Sequence, residues 1–147
     1  MKLPFRVFLL LSVIGLNLRA AELDQLQGRW RTEKSRDGAS YYQTVEIKED
    51  VLTFIIHAEP DGEPMMMGRG NIDLNTLAGV RILTLSDIEI GPNPTSLAPV
   101  EGGEGTRSLV YRLGYRTLHL VNNVDGDREE DPEVDTYKKL AKTADAE

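Results

Sequence analysis

From residue 28 onward the chain is a succession of short runs dense in β-branched and aromatic residues, punctuated by clusters of Gly, Pro, Asn and Asp. This texture constrains the fold more than any other feature, because it suits strands joined by turns and nowhere offers the longer helical period that a parallel crossover needs. Strands are predicted over 28–34, 41–48, 51–57, 66–74, 80–90, 107–113, 115–122 and 134–140. The breaks, such as Arg36-Asp37-Gly38, Lys48-Glu49-Asp50 and Asp125-Gly126-Asp127, carry turn chemistry, and short connections favour antiparallel neighbours. Eight such strands in 147 residues leave exposed edges unless the sheet closes on itself or folds into a sandwich. Closure into an up-and-down antiparallel β-barrel is the preferred all-β architecture, with a short N-terminal helical turn over 22–27.

Alternation assigns faces. Val45 and Ile47 share one side of their strand, Leu109, Tyr111 and Leu113 share a side of theirs, and Leu118 and Leu120 oppose Thr117 and His119. Over 80–90 the apolar parity switches twice, from Val80 and Ile82 to Leu83 and Leu85 and then to Ile88 and Ile90, which a bulge or bend would reconcile.

The first 21 residues have a basic start, an apolar run of twelve from Val7 to Leu18, and Ala20-Ala21 at the end, the three parts of a secretory signal. Spanning a bilayer takes about twenty apolar residues, so a permanent membrane anchor is the weaker reading. The expected organisation is a signal peptide over 1–20 and one domain over 21–147, exported to the periplasm or the extracellular space. Cleavage there would remove Lys2, Arg6 and Arg19 and no acid, taking the formal charge from −7 to −10. An acidic chain without a Lys/Arg cluster argues against nucleic-acid binding, and the absence of Cys excludes disulfides, thiolate metal sites and cysteine nucleophiles.

At the first strand stands Leu26-Gln27-Gly28-Arg29-Trp30; later come Val51-Leu52-Thr53-Phe54 and a hairpin from Val110-Tyr111-Arg112-Leu113 to Leu118-His119-Leu120. The first of these segments resembles the opening of lipocalin (calycin) barrels, and it is the order and spacing of all of them that carries the resemblance further. More closely they resemble a lipocalin-like family of small exported domains, frequent in planctomycetes and related bacteria and mostly uncharacterised. The chain departs from that family at the late hairpin, where Gly114-Tyr115-Arg116 stands in place of an Asp-Gly-Asp type turn; a Gly first in a two-residue turn suits a type II′ hairpin. The resemblance implies a barrel able to hold a ligand, and no particular activity. It also implies structural roles for Gly28 and for Trp30, which would plug one end beneath a cation from the end of the chain, Lys138 or Lys139.

Tyr111, His119, His57 and Met66 are the candidate ligand-binding residues. Each histidine neighbours apolar residues of opposite parity, so it projects either into a lumen or into water. Met65-Met66-Met67 could line a barrel mouth, but consecutive strand residues alternate faces and three thioethers cannot converge on one ion. Two isolated imidazoles and no zinc-type spacing give no metal site, and the acidic run 125–131 lacks the Gly and Glu positions of a calcium loop. No nucleophile, base and orienting group can be nominated together, so no catalytic residue and no cofactor are expected; an enzyme would need His57, His119 and Tyr111 to converge.

These residues point first to a barrel that binds a small, apolar ligand in its interior. The alternative is a cell-envelope protein-interaction module, in which the barrel is filled by its own side chains and the irregular segment 91–106 is the contact surface.

Overall fold

The computed structural model describes residues 18–101, 105–126 and 130–141. Residues 18–26 are helical, and nine strands follow: β1 (Gly28–Arg36), β2 (Ala39–Lys48), β3 (Val51–His57), β4 (Pro64–Leu77), β5 (Val80–Gly91), β6 (Ala98–Pro99), β7 (Arg107–Gly114), β8 (Thr117–Asn122) and β9 (Glu133–Lys139). The eight longer strands pair antiparallel in the order β1-β2-β3-β4-β5-β7-β8-β9, and β9 pairs back onto β1. The sheet is thus a closed eight-stranded up-and-down barrel, the architecture expected from the strand pattern. The two-residue β6 lies along the outer part of β5 through Glu89↔Pro99 and Ile90↔Ala98.

The two barrel ends are built differently. At one end the strands are joined by two-residue turns at 49–50, 78–79 and 115–116, and the helix lies across them. At the other end, apart from the turn Asp37-Gly38, stand the longer connections 58–63, 92–106 and 123–132. The core is packed toward the helix end: Leu26, Trp30, Ile47, Leu83, Leu118 and Tyr137 are essentially inaccessible to water. Each such side chain contributes ~1.5–3 kcal/mol of burial.

Alternation locates the interior as the sequence indicated on β2, β7 and β8, where Val45, Ile47, Tyr111, Leu118 and Leu120 are all buried. In β5 the second parity switch is a bulge. Asp87 takes φ +50°, the register with β4 shifts there, and Leu83, Leu85 and Ile88 all reach the core. The first switch does not bend the strand, because Val80 sits on the exposed outer face beside the Ala78-Gly79 turn.

The β7–β8 hairpin corrects the expectation of a type II′ turn opened by Gly114. Gly114 is a strand residue paired with Thr117, the turn is Tyr115-Arg116, and Arg116 carries the positive φ of +54°. A Cβ at 114 would press on the Thr117 hydroxyl, which would have to rotate away.

The helix extends upstream of the expected 22–27 turn and crosses the expected cleavage point after residue 20; residues 1–17, where most of the expected signal peptide falls, lie outside the described residues. Gln27 ties the helix to the β2–β3 turn, donating from Nε2 to the carbonyls of Leu23 (3.2 Å) and Glu49 (2.9 Å) and accepting the Glu49 N–H at 2.7 Å.

Candidate functional site

The helix end is closed by Trp30. Its Nε1 donates to the Leu26 carbonyl at 2.8 Å, and the Lys139 ammonium stands 4.7 Å from the ring centroid. Gly28, with φ +117°, brings β1 in close enough that the Lys139 Cε would lie 3.2 Å from a Cβ at that position. Of the two cations considered for this role, Lys139 therefore covers the indole, while Lys138 faces outward opposite Arg31 and Thr117.

Toward the other end the side chains withdraw and leave a cavity of about 380 Å³ inside the barrel. Its apolar lining comes from Val45, Leu52, Phe54, Leu85, Leu109 and Leu120. Above that lining is a polar tier of Gln43, Arg107, Asn122 and Asp135, and Asn123, Asp125 and Glu130 from the β8–β9 connection stand at the rim. The connection is held in place by the Ser108 N–H, which donates to Asp125 Oδ2 at 3.1 Å, and by Asn123, whose Nδ2 reaches Glu130 at 3.4 Å and the Asp131 carbonyl at 3.3 Å. Residues 127–129 of the acidic run lie outside the described residues.

Asp135 is the one buried carboxylate among the described residues. It accepts from Asn122 Nδ2 at 2.7 Å and pairs with Lys34 Nζ at 2.8 Å; Lys34 also reaches Glu133 at 3.3 Å. Burial works against the Lys34 ammonium. The hydrogen bond and charge of Asp135, followed by those of Glu133, outweigh it and raise Lys34 above its usual 10.5, so Lys34 is charged at neutral pH. Beside it, burial pushes the Tyr137 phenol far above its ordinary value, and the neighbouring acids add to the shift.

The four candidate ligand-binding residues are not brought together, and none of them lines this cavity. Tyr111 points inward at the helix end, where burial and the adjacent Glu22 raise its phenol well above 10; its hydroxyl has no partner in hydrogen-bonding geometry among the described residues, and Glu22 pairs with Arg81 at 3.1 Å. His57 lies outside the barrel beneath the 58–63 connection. A carbonyl can only accept, so Nδ1 carries the proton and donates to Gly62 O at 2.7 Å, while Nε2 meets no partner among the described residues. Arg31 fastens the same connection, reaching Asp61 at 3.1 Å and the buried Thr44 hydroxyl at 3.3 Å. His119 faces outward with Nδ1 3.0 Å from Thr136 Oγ1. Met66 is half-exposed at the open end, with Met65 exposed and Met67 buried. The residues that sequence reasoning missed are Gln43, Arg107, Asn122 and Asp135.

Fold and site together define a closed antiparallel β-barrel with one plugged end and one amphipathic cavity. Compared with known protein families, curated proteins and solved structures, the chain shows no significant match to any of them.

Proposed function

We propose that this protein is an exported, lipocalin-like barrel that carries a small, mainly apolar ligand in its interior. The observation that carries this reading is the cavity itself: about 380 Å³, with six apolar side chains below and a few convergent polar groups at the mouth. That size and zoning match small-molecule sites, which are concave, largely apolar and oriented by a few polar groups. An eight-stranded barrel is just wide enough either to be filled by its own side chains or to hold one small ligand. Here the helix end is of the first kind and the loop end of the second. The N-terminal sequence pattern supports export, and release at residue 20 would keep Leu23 and Leu26 as the inner face of the helix.

Native mass spectrometry of the protein purified gently from its natural compartment tests this reading. A mass excess that denaturation removes is the expected result, and the mature N-terminus is read from the same spectrum. A mass equal to that of the bare chain would overturn ligand carriage and favour the 91–106 segment, which stands at the same barrel end, as a surface for an envelope protein.

A further inference from the structure

We infer that the ligand of the cavity is an amphiphile with a cationic head, its apolar part among Leu52, Phe54, Leu109 and Leu120 and its charged end at the rim. This rests on the lumen reading above and adds a ligand class to it. The polar groups are confined to one side of the cavity, which fixes which end of an amphiphile enters first. The sign follows from the charges there: among the described lining residues and their ion-pair partners, Asp125, Glu130, Glu133 and Asp135 stand against Lys34 and Arg107, a formal excess of two negative charges.

Their partners sharpen the point. Lys34 is engaged by both Asp135 and Glu133, two carboxylates whose charge more than offsets its own and makes it a poor receiver for an anionic head. Among the described residues, Asp125 accepts a single backbone N–H and Glu130 accepts only the long 3.4 Å contact from an amide. A concave low-dielectric wall concentrates the field of such charges. An anionic head would meet the net negative charge of this rim at close range, whereas an ammonium would find carboxylate oxygens there that accept.

The test is calorimetric titration of the folded full-length mature chain with octyltrimethylammonium, octyl sulfate and octanol below their micellar or solubility limits. An ionic strength of about 0.1 M limits long-range effects. The cation is expected to bind at least about tenfold more tightly than the sulfate of equal chain length. Glu130→Gln, at an exposed position, should cut that ratio about threefold or more. Asp50→Asn, which removes the same charge from the exposed β2–β3 turn at the opposite end, should leave it unchanged. Octanol binding with no preference between the two ions overturns the cationic head and leaves the lumen reading standing. An equal effect of Asp50→Asn and Glu130→Gln also overturns it, by assigning the preference to the overall charge of the protein. If none of the three compounds binds, both readings fall together.

Discussion

Removing Lys34 should cost more than removing the carboxylate it pairs with. The side chain of Asp135 is only 6% exposed, and its two donors are Lys34 at 2.8 Å and Asn122 at 2.7 Å. Lys34→Met leaves that carboxylate in the barrel wall with an amide as its single donor. Orphaning one member of a buried pair costs about 3–5 kcal/mol, and because water reaches part of the Lys34 side chain, about 2–3 kcal/mol is expected here. Asp135→Asn leaves Lys34 partly solvated and still 3.3 Å from Glu133, so about 1 kcal/mol is expected. The double variant Lys34→Met, Asp135→Asn should cost less than the sum of its single changes, because neither charge remains to be desolvated. Urea unfolding near neutral pH, followed through the single Trp, measures all three. The sign with pH also follows: a lysine raised above 10.5 on folding contributes stability that is fully present below that value and fades as pH climbs through the raised one. The difference between the wild-type protein and Lys34→Met should therefore hold across neutral pH and shrink only in strong alkali. An Asp135→Asn penalty larger than that of Lys34→Met would refute the reasoning.

Three other outcomes are accessible to the same material. Lys139→Met should destabilise the barrel by about 0.5–1 kcal/mol and perturb Trp30 emission, whereas Lys138→Met should do neither. Arg116→Gly should raise the unfolding midpoint, since a non-glycine residue at φ +54° carries about 1 kcal/mol of backbone strain that glycine lacks; an unchanged or lower midpoint would count against it. In alkaline absorbance titration, native protein at about pH 11 should show less phenolate than unfolded protein, and Tyr111→Phe and Tyr137→Phe should each reduce the shortfall.

The barrel was legible in the sequence because β-branched alternation and turn residues are local signals, and here they agree with the global fold. Asp37-Gly38 and Ala78-Gly79 both adopt paired positive φ in two-residue turns, so register is set where the residues say it should be. The cavity was not read, although its signal was present. Gln43 shares parity with Val45 and Ile47, Asn122 with Leu118 and Leu120, and Asp135 with Tyr137. A polar residue of inward parity near one end of a strand marks a wet lumen. The two rare imidazoles, His57 and His119, have outward parity. Burial of His57 and Thr44 on that outer face comes from the 58–63 connection folding over β1 and β2, which no periodicity within a single strand can reveal.

Closure of the barrel explains why the charged pair sits where it does. The ladder between β1 and β9 consists of Trp30↔Lys139 and Arg31↔Lys138, extended by the Leu140 N–H to the Arg29 carbonyl. Beyond it, residues 32–36 and 133–137 have no registered partner across the seam, whereas β1 remains paired with β2 as far as Arg36↔Ala39 and β9 with β8 as far as Asn122↔Glu133. The seam is fastened at the plugged end by backbone and by Lys139 over Trp30, and toward the open end by Lys34 on Asp135 and Glu133. Side chains replace the ladder beside the cavity, so the wall there can part by releasing Lys34 from its two carboxylates and not by breaking a row of backbone bonds. Local opening is governed by the few contacts that must break. Hydrogen exchange should thus find the 133–137 amides that point toward β1 less protected than those bonded to β8, and Lys34→Met should speed exchange along this seam while leaving the β4–β5 hairpin unchanged. Uniform protection of β9, or acceleration spread evenly over all eight strands, would refute a seam held at this point by side chains.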